Sequence, residues 1–122
     1  MKKQLQLQIN KAVENEYEKL VNELNQRDDD NYYKYPWFKS DKNFGKQLRS
    51  CQAYVMETEH YYVLKSYNTI IACIDKKTDT LFDFLRMVYG YTSTSAQHIS
   101  KFNKDYCQGK WNCAETYTYR TI

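Results

Sequence analysis

The chain opens on an apolar stripe of helical period. Ile9, Val13, Tyr17, Leu20 and Leu24 recur at steps of four and three, joined by Ala12 and Val21. Glu14, Glu16, Glu18, Lys19, Asn22 and Glu23 fill the other faces. The pattern predicts an amphipathic helix that packs on the protein's own sheet, with pairing to a second copy as the alternative. Asp28, Asp29 and Asp30 end it, because adjacent carboxylates repel and compete for turn hydrogen bonds. From Leu48 the period falls to two. LRSCQAYVMET and HYYVLKSYN read as two strands with a turn near Thr58 and Glu59. TIIACID, nearly all apolar and rich in β-branched residues, reads as a central strand. DKKTDT is a polar turn. LFDFLRMV sets Phe82, Phe84 and Arg86 against Leu81, Asp83 and Leu85 and reads as a further paired strand.

Gly90 then breaks the strand, and Thr92, Ser93, Thr94 and Ser95 supply several N-caps for a helix. Ala96, Ile99, Phe102 and Tyr106 form one face of that helix, with Gly109 placed as its stop. KWNCAETYTYRTI closes the chain in alternation, with Trp111, Cys113, Tyr117 and Tyr119 on one side. The expected architecture is a single α+β domain over 1–122. It has an N-terminal helix over 1–26 and an aromatic loop over 27–46. An antiparallel meander of about five strands follows over 47–122, with a second helix before the last strand.

Composition changes this picture in one respect. Thirteen tyrosines in 122 residues, beside only three glycines and one proline, describe a chain better suited to binding than to flexible-loop catalysis. The densest aromatic cluster is YYKYPWFKSDKNFG, where Pro36 keeps Tyr35 extended. Its two readings are a lid folded over the core and an exposed anchor for a partner. On the second reading Tyr32, Tyr33, Tyr35, Trp37 and Phe38 are the partner-binding residues.

A net charge of +3 fits neither a basic nucleic-acid arm nor an acidic DNA mimic. Lysines interleaved with aromatics in YYKYPWFKSDK keep single-stranded nucleic acid open as a ligand, although the adjoining aspartates oppose it. MKKQLQLQIN lacks the apolar segment of a signal peptide, and no apolar run reaches membrane-spanning length. The expectation is a cytoplasmic protein without a membrane partner, a monomer or homodimer. There Cys51, Cys73, Cys107 and Cys113 are reduced thiols or metal ligands.

Candidate chemistry is sparse. His98 and Cys107 sit nine apart on one predicted helix, more than two turns from each other. There is no nucleophile elbow and no glycine-rich phosphate loop, so no enzyme is expected. Structural zinc is the better candidate, with Cys107 and Cys113 as the pair and His98 or His60 adding ligands. The five residues between those cysteines exceed the usual knuckle, and Cys51 and Cys73 read as buried strand thiols.

One resemblance enters on the second half of the chain. LKSYNTIIACID, a polar turn, a strand and then YTSTSAQHISKF resemble a small domain of uncharacterised proteins from phages and mobile elements of Gram-positive bacteria. The matching residues are Leu64, Lys65, Ser66, Tyr67 and Ile71, then Thr92, Thr94, His98 and Ile99. The resemblance implies an accessory protein working in the host cell, some of whose kind look like inhibitors of host defence, including anti-CRISPR proteins. The implied partner is a host defence protein such as a Cas effector, bound directly so that DNA loading or cleavage is blocked. The alternative is a small nucleic-acid-binding accessory protein, stabilised by zinc.

Overall fold

Helix α1 spans Lys2–Arg27. The computed structural model describes residues 2–27, 46–49, 52–67, 69–90, 92–106 and 115–121. The stripe read from the sequence is the buried one: Val13, Leu20 and Leu24 have no exposed surface, and Ile9 and Tyr17 pack beside them. At 1.5 Å per residue α1 is about 39 Å long, against about 23 Å for a seven-residue strand. A helix of that length overhangs the sheet it covers, and Leu5 and Leu7 in its first turns are more than half exposed.

Among the described residues six strands follow in one sheet: β1 Lys46–Gln47, β2 Ala53–Glu57, β3 Tyr61–Ser66, β4 Thr69–Asp75, β5 Thr80–Asp83 and β6 Glu115–Thr118. Their spatial order is their chain order. The first four pairings are antiparallel hairpins, with an irregularity at Leu64 and Lys65. Helices α2 Leu85–Val88 and α3 Ser93–Tyr106 lie between β5 and β6.

The sheet is covered on both faces, which explains why β3 and β4 read as almost continuously apolar. On one face α1 meets Met56, Tyr61, Val63, Ile70, Cys73, Phe82 and Phe84. On the other, Ile99 and Phe102 of α3 and Leu85 of α2 meet Val55, Leu64, Ile71, Ala72, Ile74 and Leu81. Lys65, one residue before the end of β3, is completely buried.

The α+β architecture, the N-terminal helix and the helix before the last strand are as expected, and three local readings are corrected. The first concerns LFDFLRMV, which is a strand only to Asp83. The Asp83 carboxylate accepts the Leu85 N–H (3.0 Å), and Phe84 O accepts the Met87 and Val88 N–H groups. These local bonds divert the chain into a helical turn. The alternation survives nonetheless, with Phe82 and Phe84 on the α1 face and Leu81 and Leu85 on the other.

The second correction is direction: β6 runs parallel to β5, because the α2–α3 crossover returns the chain to the same end of the sheet. The third is the start of the meander. Leu48 and Arg49 belong to a turn, with Arg49 at φ +53° and the Leu48 N–H donating to Ala53 O, so the strand begins at Ala53. The aromatic loop over 27–46 falls almost entirely outside the described residues.

Candidate functional site

The two halves of the LKSY and TSTSAQHI pattern meet in space. Ser66 ends β3 and is paired with Thr69 across a two-residue connection that begins at Tyr67. A connection this short favours residues that tolerate positive φ, usually Asn or Gly. Here Tyr67 sits at φ +53°. Its backbone N–H donates to Gln52 O (2.9 Å), which ties the turn to the chain leading into β2.

Helix α3 arrives from the other side. Thr92 is its cap: the Thr92 hydroxyl accepts the Ser95 N–H (3.2 Å) and Thr92 O accepts the Ala96 N–H. Of the four hydroxyls expected to start the helix, Thr92 performs that role and Ser95 does something else. The Ser95 hydroxyl lies 3.1 Å from that of Ser66, and the Ser66 hydroxyl lies 2.7 Å from Nδ1 of His98. All three residues are buried. Burial pushes the His98 imidazole below its usual range, helped by the positive charge of Lys101. Among the described residues no carboxylate hydrogen-bonds to His98, so nothing there offsets the lowering by burial and Lys101.

Next to this network lies a cavity of about 140 Å³ lined by Ser66, Tyr67, Thr69, Ile71, Tyr89 and Ser95. Tyr67 and Tyr89 are 54% and 63% exposed, so much of each ring remains open to solvent. The Tyr67 ring also lies against His98, with centroids 5.9 Å apart. Gly90, at φ +100°, turns the chain just beyond Tyr89.

A second polar cluster lies at the α1 face. The Glu23 carboxylate accepts the Thr58 hydroxyl, the His60 backbone N–H and a bond with His60 Nδ1. Burial alone would raise the Glu23 carboxyl, but these bonds outweigh it and hold it below its ordinary value. The same contact raises the exposed His60. Glu16 accepts the Tyr61 hydroxyl, and burial together with that bond pushes the phenol upward. Two adjoining concavities of about 300 and 390 Å³ share Glu16 and Asp75 and run from His60 to Tyr117.

The residues expected from sequence are distributed as follows. Tyr32, Tyr33, Tyr35, Trp37 and Phe38 lie outside the described residues, as do Cys107 and Cys113. Of the zinc candidates, His98 is engaged with Ser66 and His60 with Glu23, on opposite faces of the sheet. Cys73 is a buried free thiol, raised by burial. Among the described residues no three His, Cys, Asp or Glu side chains gather to hold a metal. No described helix is long and apolar enough to cross a membrane.

In the sequence Ser66 belongs to the resemblance motif and Ser95 to the helix caps, neither as a partner of His98, and Tyr89 carries no role. HYYVLKSYN reads as strand through Tyr67, whereas the structure ends the strand at Ser66 and places this bulky residue in a turn that favours Asn or Gly. Comparison with protein-family models, with characterised proteins and with solved structures finds no match to this chain.

Proposed function

We propose that this chain is a protein-binding inhibitor, and that it docks through the surface around Tyr67 and Tyr89. The observation that carries this reading is the pair of rings. Both are more than half exposed and stand at the mouth of one cavity, and one of them is kept in a backbone conformation unfavourable to tyrosine. Exposed aromatics on rigid elements supply contact area at low entropic cost, and they dominate binding energy at interfaces. A strained residue persists where something other than stability retains it.

The Ser66–His98 contact argues less for a nucleophile and its base. A general base gains from a carboxylate that stabilises its imidazolium, whereas the charge near His98 is Lys101. The resemblance to mobile-element proteins supplies the partner class. On this proposal the protein acts in the host cytoplasm on a defence protein, most concretely as an anti-CRISPR inhibitor bound to a Cas effector.

The test is a pull-down with the tagged wild-type chain from host lysate containing CRISPR effectors, at low and moderate salt. The expected result is a stoichiometric defence protein retained at both. Recovery of nucleic acid alone, lost steeply as salt rises, would replace this reading with the nucleic-acid-binding one.

A further inference from the structure

We infer that the cavity between β3, β4 and the start of α3 is a receptor for one neutral, phenol-sized ring, presented by the partner protein as a tyrosine side chain. The inference rests on the docking reading above and specifies what docks. Size sets the first limit. The cavity measures about 140 Å³, and an engineered cavity of about 150 Å³ in another protein holds benzene. One six-membered ring fills such a space, and the molecules that occupy ordinary ligand pockets do not fit.

The lining sets the second limit. Among the described residues it contains no charged side chain, and the imidazole of His98, bonded to Ser66 behind it, is disfavoured from taking up a proton by its burial. An incoming carboxylate or ammonium would lose its water without gaining a counter-ion. The third limit is polarity. Ile71 offers an apolar surface, but the hydroxyl-bearing residues Ser66, Thr69 and Ser95 also belong to the lining. A wholly apolar ring would displace water from them and return no hydrogen bond. A ring with one hydroxyl meets both kinds of wall. Tyr67 and Tyr89 line the mouth, so the inner edge of each ring forms part of the wall while its exposed outer face rests against the surface that carries the ring. This points to a macromolecular source over a free metabolite, because a single buried ring leaves both rim tyrosines uncovered.

The experiment uses p-cresol as the probe of the tyrosine side chain and follows the protein by NMR. Saturable shifts are expected at Ile71 and at the His98 ring, with toluene binding about fivefold more weakly for want of one neutral hydrogen bond. Ser66→Leu, which fills the cavity, should abolish the shifts. Because that variant removes a buried hydrogen bond and can misfold, the double change Tyr67→Gly and Tyr89→Ala is measured beside it. Both sites are exposed, and the glycine suits φ +53°, so the double variant stays folded and should weaken p-cresol binding severalfold.

Absence of saturable shifts, or equal binding by the double variant, overturns the receptor. Toluene binding as tightly as p-cresol overturns its polarity. In the pull-down, a partner captured equally by wild type and by the folded pocket variants overturns the tyrosine insertion while leaving the inhibitor reading in place. Specific p-cresol binding with no protein ever captured does the reverse: it retains the pocket and removes the docking reading and the inserted side chain with it.

Discussion

The two faces of the sheet are held by different polar chemistry. On the α1 face carboxylates take part, Glu16 with Tyr61 and Glu23 with Thr58 and His60, beside amide contacts from Gln6 and Asn10 to the Thr118 and Arg120 carbonyls. On the α3 face the buried contacts involve no carboxylate: Ser95 and His98 both bond to Ser66, and all three are buried. The difference follows from depth. A carboxylate near water keeps most of its hydration and gains from a hydrogen bond, whereas one placed beside His98 would need a full counter-charge. The charged contacts can therefore hold position without closing off space. The neutral ones sit beside the 140 Å³ cavity without imposing a charge on what enters it.

The largest effects test whether both faces belong to one cooperative fold. Phe102 of α3 and Leu20 of α1 have no exposed surface. Phe102→Ala is expected to cost about 3–5 kcal/mol and Leu20→Ala about 2–5 kcal/mol in urea unfolding, each within a single transition. A Phe102→Ala protein that loses α3 in a separate, earlier transition while α1 stays in place would break the comparison. It would show that the two faces are independent.

Next in size is the neutral network. His98→Ala leaves Ser66 and Ser95 only each other, and a loss of about 1–3 kcal/mol is expected. Glu23→Gln should cost less, since its site is partly solvated and the amide oxygen still accepts from Thr58. Equal losses at the two positions would erase the distinction drawn from depth.

The pH response sharpens it further, because the two histidines shift in opposite directions from the same ordinary value of 6.5. His98 is lowered, so as pH falls through 6.5 the unfolded chain takes up its proton first and stability declines. His60 is raised, so its contribution is present below 6.5 and disappears as pH rises through its elevated value. Urea midpoints between pH 5 and 8 should show the acid-side loss flattened in His98→Ala and the alkaline-side loss flattened in His60→Ala. The same slope in both variants and in wild type would refute the assignment.

The smallest effect is at the rim. Arg49 makes a two-pronged bond to Asp105 (2.7 and 2.8 Å), joining the β1–β2 turn to the last turn of α3. Arg49 is about half exposed and Asp105 partly so, and Arg49→Ala should cost under about 1 kcal/mol and less still in high salt. A larger, salt-independent loss would mean that the turn depends on this pair.

Much of this molecule can be read from spacing alone. The stripe through Val13, Leu20 and Leu24, the run TIIACID and the face through Ile99 and Phe102 are local periodicities. A local period dictates which side of an element is buried whatever it is buried against. That α1 and α3 cover opposite faces, that β6 runs parallel to β5 and that Asp83 turns the chain after four strand residues depended on long-range packing and on one side chain's bond. The site shows the same division. The hydroxyls before His98 announced a helix start, and Thr92 makes one. That Ser95 and His98 reach back to Ser66, 32 residues before the histidine, was decided by the tertiary structure. Hydrogen bonds between distant segments leave no period in a sequence, and neither does the space left between a strand end and a helix start.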